Sequence, residues 1–152
     1  MFKIYYFENY GTKDIVSADG LDFTKNINDA LNYIVKIKKE NFNFSVSEKS
    51  NIYGTRIEEI LGKENTKKFV ETDKKITFKN GVTMYRILKN DTLKDAVDIV
   101  FFYLSTPYAI KKICEIYPNK IFIWAPYLLD EIDELKKNKK FELIELKIKS
   151  KK

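Results

Sequence analysis

The stretch Asp98-Ile-Val-Phe-Phe-Tyr-Leu104 constrains this chain more than any other. After Asp98 six consecutive side chains are oily, so both faces of an extended strand would be apolar. A strand with one wet face alternates; a strand covered on both faces does not, and such coverage belongs to parallel sheets sandwiched between helices. The residues after Leu104 fit that reading. Ser105 or Thr106 can cap a helix and Pro107 suits its first turn. Ile110, Ile113, Cys114 and Tyr117 recur at helical spacing before Pro118-Asn119 ends the pattern. KIFIW (120–124) is a second apolar strand. A helix opened by Pro126 carries Leu128, Leu129, Ile132 and Leu135, and FELIELKI (141–148) is a third strand. Its alternation slips between Leu143 and Ile144, which predicts a bulge or an edge position. The fold class is therefore α/β, with a C-terminal β-α-β-α-β unit of Rossmann-like parallel sheet covered by helices.

The first half reads less cleanly. FKIYYF (2–7) is a buried strand, and a long loop over 8–25 carries Gly11, Gly20, Asp14, Asp19 and Asp22, with a short strand over 14–18. Asn26 is a suitable helix N-cap ahead of an apolar stripe through Ile27, Ala30, Leu31, Ile34 and Ile37, with Asn41 closing the helix. FNFSV (42–46) alternates like a strand. Thr55-Arg56-Ile57-Glu58 matches a capping box and Gly62 a stop, with a further short helix over 65–71. Residues 74–88 predict an antiparallel hairpin turning at Asn80-Gly81, the favoured pair for a two-residue type I′ loop. In that register Phe78 faces Thr83, Ile76 faces Tyr85, and Arg86 lies on the polar face beside Lys75 and Lys79. At 152 residues the chain suits a single domain, with subdomains at 1–90 and 91–149 as the natural division and 147–152 as a basic tail.

Several chemistries drop out. There is no histidine, which removes Ser-His-Asp and Cys-His arrangements and nearly every zinc site. Cys114 is the only cysteine, so no intrachain disulfide can form, and on an apolar stripe it reads as a buried thiol. The five glycines never approach a phosphate-binding fingerprint, so no cofactor and no ordinary dinucleotide site is expected. No stretch is long and apolar enough for a membrane span, and the N-terminus lacks the pattern of a signal peptide; together with the lone cysteine this favours a cytoplasmic protein. The net charge of +6 resides entirely in residues 136–152, which hold eight lysines against two glutamates. A solvated tail is the ordinary reading, and nucleic acid is not expected beyond weak tail contacts with phosphates.

Ligands of open parallel sheets sit beyond the carboxyl ends of the strands, where helix N-termini point N–H groups outward. That rule selects Ser105 and Thr106 as donors to a phosphate or carboxylate, and Trp124 or Tyr127 as a stacking surface. Each also has an ordinary structural use: the hydroxyls cap a helix and Trp124 fills the core. Arg56 and Arg86 stand out because 26 of the 28 cations are lysine; a guanidinium fork suits an anion, and equally a neighbouring carboxylate. The sequence thus supports a noncatalytic ligand-binding or regulatory domain for a small anionic or nucleotide-like molecule. A protein-interaction or inhibitor module from a mobile element, or a second copy of the chain as partner, is the alternative. A carboxylate-dependent hydrolase or transferase needs Asp14, Asp19 and Asp22 to converge with Ser105. No metal site is expected, since these acids do not match a calcium loop.

Overall fold

The structure, a computed structural model, describes residues 1–11 and 20–148. Its centre is one seven-stranded sheet. The strands are β1 (Phe2–Tyr6), β2 (Phe42–Ser45), β3 (Lys75–Thr77), β4 (Thr83–Ile87), β5 (Ile99–Tyr103), β6 (Ile121–Ala125) and β7 (Phe141–Glu145). Their order is β3-β4-β2-β5-β6-β1-β7, with every neighbouring pair parallel except β3 and β4. The predicted hairpin is therefore an extension of the parallel sheet, and strands from both halves of the chain interleave. Among the described residues no helix is long and apolar enough to cross a membrane.

The doubly apolar β5 resolves into two cores. Ile99, Phe101 and Tyr103 join Phe42, Phe44 and Ile123 on the first face, beneath α1 (Phe23–Leu31), α2 (Arg56–Leu61) and α3 (Lys63–Lys67). Val100 and Phe102 join Ile4, Tyr6, Phe122 and Trp124 on the second face, beneath α4 (Pro107–Ile116) and α5 (Leu129–Lys137). All five β5 residues are buried. Burying side chains of this size is worth roughly 1.5–3 kcal/mol each.

Several local expectations need correction. The cap of α1 is Asp22, whose carboxylate accepts from Lys25 N at 3.0 Å, and Asn26 lies inside the helix. The helix runs on through a wider π turn to Lys38, and Lys39, not Asn41, takes the left-handed closing position with φ +55°. The capping box does not form. Thr55 Oγ1 donates to Ile52 O and accepts from Tyr103 OH at 2.7 Å, while Glu58 receives Gly54 N. The hairpin pairs Ile76 with Met84 and Thr77 with Thr83, one residue out of the expected register, around a three-residue loop in which Gly81 has φ +92°. The reason is tertiary as well as local: the Asn80 side chain donates to Val35 O at 2.8 Å while accepting from Val82 N at 3.2 Å, which holds the wider loop in place. A one-residue slip exchanges the faces of a strand, so Arg86 joins Met84 and Phe44 on the first face, at 6 % exposure. Strand β7 pairs with β1 without a bulge and is an edge. Helix α5 begins at Leu129, three residues after Pro126. The strand expected over 14–18 lies outside the described residues, as do residues 149–152 of the tail.

Candidate crevices at the carboxyl ends of the sheet

Two pairs of neighbouring strands send their connections in opposite directions. From β2 the chain crosses the first face through α2 and α3 towards β4; from its neighbour β5 it crosses the second face through α4 to β6. Likewise β1 leaves through α1 on the first face, and its neighbour β6 leaves through α5 on the second. Connections that diverge in this way leave a crevice between the strand ends, where ligands of open α/β sheets bind.

The β1/β6 crevice is closed by the protein itself. Asn26 is fully buried, and its Oδ1 accepts from Asn9 N at 2.8 Å and Asn9 Nδ2 at 2.9 Å. Its Nδ2 donates to Pro126 O at 3.1 Å, and Asn9 Nδ2 reaches Asp29 at 3.0 Å. The amide bridges the chain ends of both strands.

The β2/β5 crevice stays open. A cavity of about 360 Å³ lies between the ends of β2, β4 and β5 and the first turns of α4. Its wall carries Lys89, Lys112, Asn90, Ser45, Ser47, Ser105, Thr106 and Tyr108 over an apolar side of Val46, Ala109 and Ile113, and no carboxylate among the described residues. Lys89 pairs with Glu48 at 3.1 Å, both ends well exposed, and Lys112 has no ion-pair partner among the described residues. Thr106 caps α4 through Ala109 N at 3.2 Å, and Pro107 has no N–H, so the helix end leaves Tyr108 N–H as its outward donor. Ser105 is turned inward, its hydroxyl directed at Ser45 O and Tyr103 O, both at 3.4 Å. Ser45 differs. It pairs with Ile87 and Phe102 and so faces the α4 side; it is 6 % exposed, and its hydroxyl has no hydrogen-bond partner among the described residues. The only described side-chain polar atoms both sealed from solvent and unpartnered are Thr66 Oγ1 and Arg86 Nε. The Ser45 hydroxyl therefore retains contact with the cavity.

The residues chosen from the sequence divide among several places, with Ser105 shared by two of them. Ser105 and Thr106 reach the open crevice. Ser105 also meets Trp124 and Tyr127 at Leu104, where the three line a smaller void of about 110 Å³. Leu104 holds φ +50°, a left-handed conformation that costs a non-glycine residue of order 1 kcal/mol and turns the chain between the two spaces. Trp124 is 1 % exposed in the second core, and the Tyr127 ring packs edge-on against Phe23 at 5.1 Å. Arg56 binds Asn28 Oδ1 at 3.1 Å and approaches Glu59 at 3.7 Å. Arg86 donates from Nη1 to Val70 O and from Nη2 to Asp91 at 3.4 Å, so it ties α3's extension and the loop after β4 to the sheet. Neither arginine lines the cavity. Asp22 is a helix cap, and Asp14 and Asp19 lie outside the described residues. Among the described residues no group of three His, Cys, Asp or Glu could hold a metal ion.

Sequence reasoning missed Ser45, Lys89, Asn90, Tyr108 and Lys112. It looked for the crevice between β5 and β6, which are consecutive in the chain. The open crevice lies between β5 and β2, whose adjacency depends on a strand order that local pattern does not encode. A larger cleft of about 530 Å³ flanks β1 and β7, but Glu8, Asp29 and Glu145 face Lys25 and Lys147 there, so no one charge dominates. In comparisons with known proteins, no family model, no curated protein and no solved structure matches this chain.

Proposed function

We propose that this chain is a noncatalytic binding or regulatory domain for a small anionic molecule, held in the crevice at the ends of β2, β4 and β5. The observation that carries this reading is the lining of that crevice, which among the described residues has two lysines, one without an ion-pair partner, no carboxylate, and the hydroxyl of the largely buried Ser45 without a hydrogen-bond partner. Lys89 and Lys112 supply attraction. The Ser45 hydroxyl, the Thr106 hydroxyl and Tyr108 N–H supply directional contacts, and hydrogen bonds to a charged group are worth about 1.5–3 kcal/mol each. The Lys89–Glu48 pair yields readily, because exposed pairs are worth roughly 0–1 kcal/mol. The wall presents no thiol, and its lysines are well hydrated, so it is equipped to hold an anion and poorly equipped to move a proton.

Phosphate, pyrophosphate and sulfate tested by thermal shift at low ionic strength decide the matter. At a hundredfold excess over Kd, binding adds about 2.7 kcal/mol, which raises Tm by about 5–10 °C in a chain of this length. The double variant Lys89→Ala/Lys112→Ala should keep the unliganded Tm and lose that rise. If no anion shifts the wild-type Tm, or the double variant responds equally, the crevice is not an anion site.

A further inference from the structure

Resting on the anion reading, we infer that the ligand carries a planar base as well as its charge, and that the crevice takes a nucleoside monophosphate with its base against the Tyr108 ring. Tyr108 is the second residue of α4 and lines the cavity, yet it is 73 % exposed and has neither a ring partner nor a hydrogen bond among the described residues. An exposed aromatic ring is common by itself. This one stands a single helical turn from Lys112, about 5–6 Å away between Cβ atoms, and shares the cavity wall with Lys89. A flat apolar surface and an anion-binding pair are thereby set side by side, the combination by which proteins hold a base and its phosphate. Ala109 and Ile113, the neighbouring ridge of α4, give the sugar an apolar bed. Asn90, exposed at the rim and without a partner among the described residues, has an amide that can both donate to and accept from a base edge. A cavity of about 360 Å³ lies at the low end of small-ligand sites, large enough for a mononucleotide and small for a dinucleotide.

The test is calorimetric titration of the intact chain with inorganic phosphate, ribose 5-phosphate, uncharged nucleosides and the common nucleoside monophosphates, on wild type, Tyr108→Ala, Tyr108→Phe and Lys89→Ala/Lys112→Ala. At least one monophosphate should bind wild type about tenfold or more tightly than ribose 5-phosphate, the scale of one base stacked on an aromatic ring. Tyr108→Ala should erase that advantage without altering ribose 5-phosphate binding, and Tyr108→Phe should retain it. Because Tyr108 is exposed, its loss does not endanger folding. If every monophosphate binds no better than ribose 5-phosphate, or Tyr108→Ala keeps the preference, the base site falls. The anion reading survives that result if phosphates still bind in a lysine-dependent way. If nothing in the panel binds, both fall together.

Discussion

The two crevices at the carboxyl end of the sheet arise from the same topological event and end in opposite states. Between β1 and β6 a buried amide, Asn26, spans the gap and satisfies both strand ends. Between β2 and β5 the corresponding space is bordered by short polar residues, two lysines and a serine hydroxyl without a hydrogen-bond partner among the described residues. Buried polar groups are normally paired because an unpaired one loses its hydration without return. The plug pairs its buried groups within the protein, whereas the open crevice leaves its polar lining to solvent.

The largest expected difference between them is thermodynamic. Asn26→Leu removes the plug while keeping the branching of the side chain, and strands Asn9 N–H and Pro126 O without partners. At about 1–3 kcal/mol per orphaned buried group the loss should be about 3 kcal/mol, lowering Tm by about 6–12 °C. Urea unfolding measures it. A loss below about 1 kcal/mol would mean that water replaces the amide and that the two crevices are not so different.

Much of this contrast lay beyond sequence pattern. The buried parallel strands were legible because residues 99–103 are oily on both faces, and only helices on two sides can cover both. The helices of the second half were legible from Thr106 and Pro107 at one start and from apolar spacing throughout. Asn26 has the residue type of a cap, but Asp22 takes that role, and the amide is needed a hundred residues away in sequence, at Pro126. The face that Arg86 occupies depends on a register one residue from the expected one, in a loop that Asn80 holds through Val35 and Val82. Ser45, Lys89 and Lys112 carry no local signal. Three ordinary residues from three segments come to line one cavity only when β2 settles between β4 and β5.

Helix α4, which forms one wall of the open crevice, carries a probe of how tightly that wall is held. Cys114 is fully buried beneath it, and burial first, then the Glu115 charge, pushes its thiol from 9.0 up to about 12. The raised value means that the folded state favours the neutral thiol. Its contribution to stability is intact below about pH 9 and declines as pH rises from there towards 12. At pH 8 burial keeps the folded thiol protonated far more fully than the unfolded one, so labelling by a thiol reagent should be much slower than in urea and proceed through opening of α4. On the proposed function, inorganic phosphate in the crevice should slow it further, since it would bridge α4 to β2 and β4. Labelling as fast as in urea, or indifferent to phosphate, would detach α4 from the proposed site.

The smallest expected effect on stability is the most discriminating, because it separates a hydroxyl that holds the fold from one that awaits a ligand. Ser45 is as enclosed as a core residue at 6 % exposure, but its hydroxyl makes no protein hydrogen bond among the described residues. Ser45→Ala therefore removes nothing the fold uses, and unfolding free energy should change by less than about 0.5 kcal/mol. Phosphate affinity should nevertheless fall about tenfold, the worth of one hydrogen bond to a charged group. Set beside Asn26→Leu, the pair of variants inverts: one crevice loses stability and no phosphate affinity, the other loses affinity and no stability. A Ser45→Ala chain that unfolds more easily, with its phosphate affinity intact, would place the hydroxyl among the fold's own bonds and leave the open crevice without its most enclosed contact.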